Sequence, residues 1–255
     1  MRKIMLVTGG SRGIGAATCL LAARRGYDVA VNYTREAQAA GEVAAAVRAA
    51  GGRAIAIRAD VGVEHDVVEM FRTVDRELGP LDCLVNNAGI VDVRARVSET
   101  SAARMERMFR INVIGSFICA REAVRRMSTR EGPARGVGFG RGGNIVNISS
   151  GAARLGGAGQ YVDYAASKGA IDTFTVGLAR EVAGEGIRVN AVRPGITDTE
   201  IHARSGEVGR AQASAHLIPL QRPGRPEEIA EAILWICSDA ASYTTASTID
   251  CTGGR

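Results

Sequence analysis

Two residues, four positions apart, are suited to moving a proton: Tyr164 and Lys168. On a helix that spacing is about one turn, so both side chains share a face. A phenol ordinarily ionises near pH 10, too high for easy exchange at neutrality. An ammonium close by favours the phenolate, and a general acid or base works best when its pKa approaches the working pH. Of the 32 lysines and arginines in the chain, only Lys3 and Lys168 are lysine. In a chain that otherwise supplies its cations as arginine, a lysine here marks a place for a compact ammonium on a flexible stem, where a fork-shaped guanidinium would not substitute. Tyr161 offers no such pair, because Ala165 stands where its lysine would be.

A second feature is the turn Thr8-Gly9-Gly10-Ser11-Arg12-Gly13-Ile14-Gly15. Gly9 permits a tight turn with positive φ, Gly13 lets backbone approach a pyrophosphate, and Gly15 lets helix and strand pack closely. The helix that follows presents free N–H groups and a positive dipole end to phosphate oxygens. A turn of this kind after a strand and before a helix predicts a dinucleotide site. A carboxylate at the end of the second strand would select NAD by binding the ribose 2′-hydroxyl. That stretch reads Val31-Asn32-Tyr33-Thr34-Arg35, with no acid before Glu36, and Asp28 lies at the strand's other end. Arg12 and Arg35 can instead clamp a 2′-phosphate. NADP(H) is therefore favoured over NAD(H).

The elements that must position these groups alternate. Short apolar runs over Lys3–Thr8, Asp28–Tyr33, Arg53–Arg58, Asp82–Asn86, Asn144–Ser149, Arg188–Val192 and Ser247–Asp250 predict strands. Between them Ile14–Arg25, Glu36–Ala50, Glu64–Glu77, Ser101–Met127, Tyr161–Ala183 and Pro226–Cys237 predict helices. Continuous apolar runs such as Ile4-Met5-Leu6-Val7 suit parallel strands covered on both faces. The expectation is an α/β chain: one Rossmann-like domain over residues 1–255, a doubly wound parallel sheet of about seven strands with helices on both faces. Two irregular stretches interrupt it. The glycine-rich Ser128–Gly143 predicts an enlarged loop, and Ile196–Pro223 is long enough to be a substrate lid.

Composition narrows the function classes. The five cysteines are dispersed, with no C-x-x-C pair, which argues against a disulfide framework or zinc site. His65, His202 and His216 form no ligand pattern, so no metal is expected; His202 and His216 fall in the lid, within reach of substrate. Neither a leader sequence nor an apolar stretch of membrane-spanning length is read, so a cytoplasmic protein is expected. The net charge of +5 comes with only 4% aromatic residues, too few stacking platforms for a nucleic-acid partner.

Taken together, these motifs resemble the classical branch of the short-chain dehydrogenase/reductase family along essentially the whole chain. The resemblance rests on the glycine turn, Asp60-Val61, Asn86-Asn87-Ala88-Gly89, Asn112, Ser149-Ser150, Tyr164-Ala165-Ala166-Ser167-Lys168 and Arg193-Pro194-Gly195. Within the family the chain looks most similar to 3-oxoacyl-[acyl-carrier-protein] reductases and glucose 1-dehydrogenases. The resemblance implies an oxidoreductase moving hydride between nicotinamide and a carbonyl or alcohol, with Asn112, Ser150, Tyr164 and Lys168 catalytic. Ser150 would hold the substrate oxygen. It stands fourteen residues before Tyr164 where the family usually has thirteen, so Ser149 is the alternative. Asn112 would bend its helix, hold a water and extend a proton relay through Lys168. Cofactor contacts would come from Gly9, Ser11, Arg12, Gly13, Ile14, Gly15, Tyr33, Thr34, Arg35, Asp60, Val61, Asn87, Ala88, Gly89, Tyr164 and Lys168. Pro194, Gly195, Ile196 and Thr199 would flank the nicotinamide. A homotetramer acting on a small-molecule carbonyl or alcohol is implied as well. The competing expectation is a catalytically silent NADP(H)-binding sensor or scaffold, which would have no use for all four catalytic positions.

Overall fold

The apolar runs pack on two sides at once. In a computed structural model, which describes residues 2–130, 140–200 and 209–255, strand β1 (Lys3–Val7) turns Ile4 and Leu6 to one core and Met5 and Val7 to another. The other strands are β2 (Tyr27–Tyr33), β3 (Ala54–Arg58), β4 (Cys83–Asn86), β5 (Gly143–Ile148), β6 (Ile187–Pro194) and β7 (Thr248–Cys251). All seven form one parallel sheet in the order β3-β2-β1-β4-β5-β6-β7. One face is covered by α1 (Gly13–Arg24), α2 (Ala37–Ala49) and, near the C-terminus, Pro226–Ile236. The other is covered by α3 (Glu64–Glu77), the helix Gly115–Met127 and the long helix Val162–Val182. Chain order reverses direction between β1 and β4, and a crevice opens there beyond the carboxyl ends of the strands.

The expected helix over Ser101–Met127 is broken in three. Ser101 caps α4 (Ala102–Phe109) by accepting from the Arg104 amide at 3.3 Å. A π-helical turn follows over Arg110–Ile114, and α5 (Gly115–Met127) continues. Such single wide turns recur at functional sites. Two one-turn helices have no counterpart in the sequence reading, α6 (Ala152–Leu155) and α8 (Arg210–Ala213); they lie before and after α7 (Val162–Val182), and α9 is Pro226–Ile236. Residues 131–139 of the predicted loop and 201–208 of the predicted lid, His202 among them, lie outside the described residues. Among the described residues no helix is long and apolar enough to cross a membrane.

Candidate active site

The glycine turn is held from behind by side chains. Asn32, an amide on the buried strand β2, accepts from the Gly9 amide at 3.1 Å, while its carbonyl accepts from Gly10 at 2.8 Å. Asn87 donates to the carbonyls of Thr8 (2.8 Å) and Gly9 (3.0 Å), and the Thr8 hydroxyl accepts from the amides of Asn87 and Ala88. The start of α1, which no side chain caps, lines the crevice. Gly9 and Gly13 have φ of +62° and +51°, where a side chain is strained. A Cβ on Gly15 would stand 2.4 Å from the Gly9 carbonyl oxygen and 2.6 Å from Asn87 Nδ2. The Gly15→Ala variant is accordingly expected to lose about 1–3 kcal/mol of stability. It should also weaken dinucleotide binding at least about tenfold, through the displaced turn. Thermal unfolding and a cofactor titration check both effects.

One cavity of about 820 Å³ runs from this turn to the ends of β4, β5 and β6. Ser11, Arg12 and Ile14 line it beside Gly9 and Gly13; Tyr33, Thr34 and Arg35 line it at the end of β2, and Asp60 and Val61 after β3. Asn87, Ala88 and Gly89 form its floor, and Pro194, Gly195, Ile196 and Thr199 the wall beyond β6. Of the residues picked out in the sequence, Gly15 and Asn112 lie behind the lining rather than on it. The two arginines differ. Arg12 is engaged by Glu36 (3.3 Å) and Glu200 (3.4 Å), whereas Arg35 is exposed. The cradle suits a dinucleotide: glycines stand where a Cβ would collide, and the uncapped N-terminus of α1 lines the cavity.

At the other end Ser150, Tyr164 and Lys168 meet. The Ser150 side chain stands beside the Tyr164 phenol, whose ionised form it favours, and its hydroxyl accepts from the Ala152 amide at 3.1 Å. Ser149 points the other way, buried, with its hydroxyl donating to the Lys168 carbonyl at 3.3 Å. Between serine and tyrosine lie α6 and the left-handed glycines Gly156, Gly157 and Gly159. Lys168 is 5% exposed, its Nζ donating to the Ile148 carbonyl at 2.7 Å and lying 5.8 Å from the Tyr164 ring centre. Burial lowers its pKa to about 8, against a counter-pull from Asp172 one turn on. The phenol departs from the expectation of a lowered pKa. Burial raises Tyr164 above its ordinary value, opposed by the Ser150 hydrogen bond and then by the Arg210 charge. The lysine's ammonium sits against the ring and the Ile148 carbonyl, so desolvation prevails at the hydroxyl.

Asn112, 1% exposed, occupies the π-helical turn. Its Oδ1 accepts from the Ile90 amide (2.8 Å), and its Nδ2 donates to the Ile90 carbonyl (2.9 Å) and to Ser167 Oγ (3.1 Å). Its carbonyl accepts from Ser116 Oγ at 3.1 Å. A Cβ on Gly89 would be 3.3 Å from Asn112 Oδ1 and 3.5 Å from Lys168 Nζ. The glycine thus lets amide and ammonium approach each other.

Sequence reasoning missed two contributors. Asn32 was legible as a polar residue inside an apolar strand; Arg210, in a weakly patterned segment, gave no signal. Arg210 stacks on Tyr161, 4.8 Å from its ring centre, and donates to the Tyr161 hydroxyl and to Gln160 Oε1 (3.2 Å). All three line the cavity. His216, expected within reach of substrate, is exposed and is not part of the lining.

Known proteins place this geometry in context. A family model described as enoyl-(acyl carrier protein) reductase matches residues 9–255. The uncharacterized oxidoreductase YgfF of Escherichia coli is 54% identical over 252 residues, 99% of each chain. A 3-oxoacyl-[acyl-carrier-protein] reductase of Synechocystis is 36% identical, covering 99% of this chain and 96% of the relative. Among solved structures, a short-chain dehydrogenase from Burkholderia cenocepacia in complex with NADP superposes with a TM-score of 0.89. It is 32% identical and covers 99% of this chain and 97% of that one. Sequence, fold and cleft agree, and the chain belongs to the short-chain dehydrogenase/reductase family of oxidoreductases.

Proposed function

We propose that this chain is an NADP(H)-dependent oxidoreductase that interconverts a small-molecule carbonyl compound and its alcohol, with Tyr164 as general acid and base. The observation that carries the reading is the Ser150–Tyr164 hydroxyl pair at the end of a dinucleotide-sized cleft, with Lys168 beneath it. The nicotinamide, when bound, supplies or accepts the hydride. In reduction, Tyr164 Oη gives its proton to the carbonyl oxygen as negative charge develops there. Ser150 Oγ donates a hydrogen bond to the same oxygen, fixing its place and stabilising that charge. Lys168, held by the Ile148 carbonyl, favours the phenolate left behind, and Asn112 continues the polar path behind it. A lid formed by the segment after β6 is part of the reading, supported by Arg210 of that segment, which lines the cavity.

Preference for NADP(H) is supported by a β2 end without an acid and by Arg35, exposed in the cleft. A charge-assisted pair to a 2′-phosphate contributes about 1.5–3 kcal/mol, so NADPH should bind about ten- to a hundredfold tighter than NADH. Fluorescence titrations with the two cofactors check this; tighter NADH binding contradicts it. The activity itself is tested with NADPH and a panel of ketones, sugars and acyl thioesters. Binding of NADPH without consumption across the panel would instead support the silent sensor or scaffold. Assembly into a homotetramer is part of the proposal, supported by the apolar Ile114 and Phe117 exposed on the α4–α5 arm, Phe117 stacking on Phe174 of α7.

A further inference from the structure

One face of α7 carries a third ionisable group. Tyr164, Lys168 and Asp172 are spaced four apart within that helix, so they stand one above another along it. The reaction as proposed gives the last of them no part. Asp172 Oδ2 accepts from Arg193 Nη2 of β6 at 2.8 Å, while its Oδ1 is buried and has no hydrogen-bond partner among the described residues. Arg193 Nη1 donates to Asp250 of β7 at 2.6 Å, and Asp250 also accepts from Arg154 of α6 at 2.9 Å. The carboxylate is thereby fixed in place through one oxygen, and no donor takes up the charge on the other.

The other charged groups on the elements packed around the amine are engaged elsewhere. Arg104 and Arg107 of α4 pair with Asp163 and Asp92, and Arg154 of α6 pairs with Asp250. Arg110 of the π-helical turn lies against Gly62, and Arg210 is stacked on Tyr161. From β5 the amine meets the Ile148 carbonyl, and beside Gly89 it meets the Asn112 amide; both are uncharged. Burial favours loss of the proton from Lys168, and the charge on Asp172 opposes it.

We propose that Asp172 is a positioning residue that acts through Lys168: it supplies the negative charge that keeps the buried amine an ammonium, and Arg193 sets how much of that charge the amine feels. The consequence for the reaction rests on the reading of Lys168 as the partner of Tyr164; the charge relation itself does not. Without the carboxylate, the ammonium that favours the phenolate is lost at a pH nearer neutrality.

The chain allows a direct test, because only Lys3 and Lys168 are lysine. Cofactor-free Lys3→Arg protein carrying isotope-labelled lysine shows one lysine resonance by NMR, and its pH titration reads the amine without turnover. The midpoint, about 8 with Asp172 in place, should fall by about one pH unit in Asp172→Asn, a roughly tenfold weaker hold on the proton. Asp172→Glu should keep most of the original value, and Arg193→Gln, which removes a positive charge, should raise it. A purely structural role would not move the midpoint in opposite directions. An unmoved midpoint in Asp172→Asn overturns the proposal; should that variant not fold, a midpoint that fails to rise in Arg193→Gln overturns it. The pH at which kcat/KM for NADPH falls should move down with the amine, and a profile that stays while the amine moves overturns the positioning role. A wild-type protein that reduces no carbonyl counts against the catalytic reading of Tyr164 alone.

Discussion

Tyr164→Phe is expected to bind NADPH as the wild type does and to reduce carbonyl substrates about a hundred- to ten-thousandfold more slowly. The variant removes one oxygen. Its ring still fills the space between Ser150 and Lys168, so the cavity and the glycine turn, anchored separately by Asn32 and Asn87, are undisturbed. What disappears is the proton that must reach the substrate oxygen as hydride reaches its carbon, together with the partner of the Ser150 hydroxyl. Burial holds that phenol above its ordinary pKa, so at neutral pH it carries its proton and stands ready as an acid for reduction. Steady-state rates and a fluorescence titration on the same preparation separate the two effects.

Lys168→Met should be the next most damaging change, lowering turnover about a hundredfold or more. The methionine restores neither the donor to the Ile148 carbonyl nor the charge that stabilises the phenolate. Lys168→Arg should rescue little of the loss. The ammonium is buried against Gly89 and Asn112, and a guanidinium there meets backbone and the Asn112 amide. The same burial gives a pH signature. Lys168 ionises at about 8, so it is charged below that pH and neutral above it, whereas the phenol stays protonated through the same interval. For reduction, kcat/KM for the cofactor, which reports groups of the free enzyme, should fall as pH rises through about 8. A flat profile across that range assigns the lysine no electrostatic part.

Much of this was legible in the residues because each signal had a local cause. Ile4-Met5-Leu6-Val7 reads as a doubly covered strand since its neighbours in sequence must face opposite cores, and they do. Tyr164 and Lys168 needed only helical spacing to be placed together. The choice between Ser149 and Ser150 was open because one inserted residue shifts both. The structure separates them by direction, Ser149 toward the α7 backbone and Ser150 toward the phenol. The π-helical turn at Asn112 was hidden inside a continuous helical pattern, because it depends on what Ile90 and Ser167 offer the amide from other elements. Arg210 was invisible for the same reason. One arginine among 30 acquires meaning only when tertiary packing sets it on Tyr161. The lowered phenol pKa expected from sequence counted a nearby charge and left out the desolvation that outweighs it.

The central claim is that Tyr164 delivers the proton that accompanies hydride transfer in this cleft, and single-turnover mixing tests it most directly. NADPH-loaded wild-type protein, mixed with a carbonyl compound that it reduces, should consume its nicotinamide in step with alcohol formed, while NADPH-loaded Tyr164→Phe retains its nicotinamide on that timescale. Equal consumption by the two proteins would contradict the account.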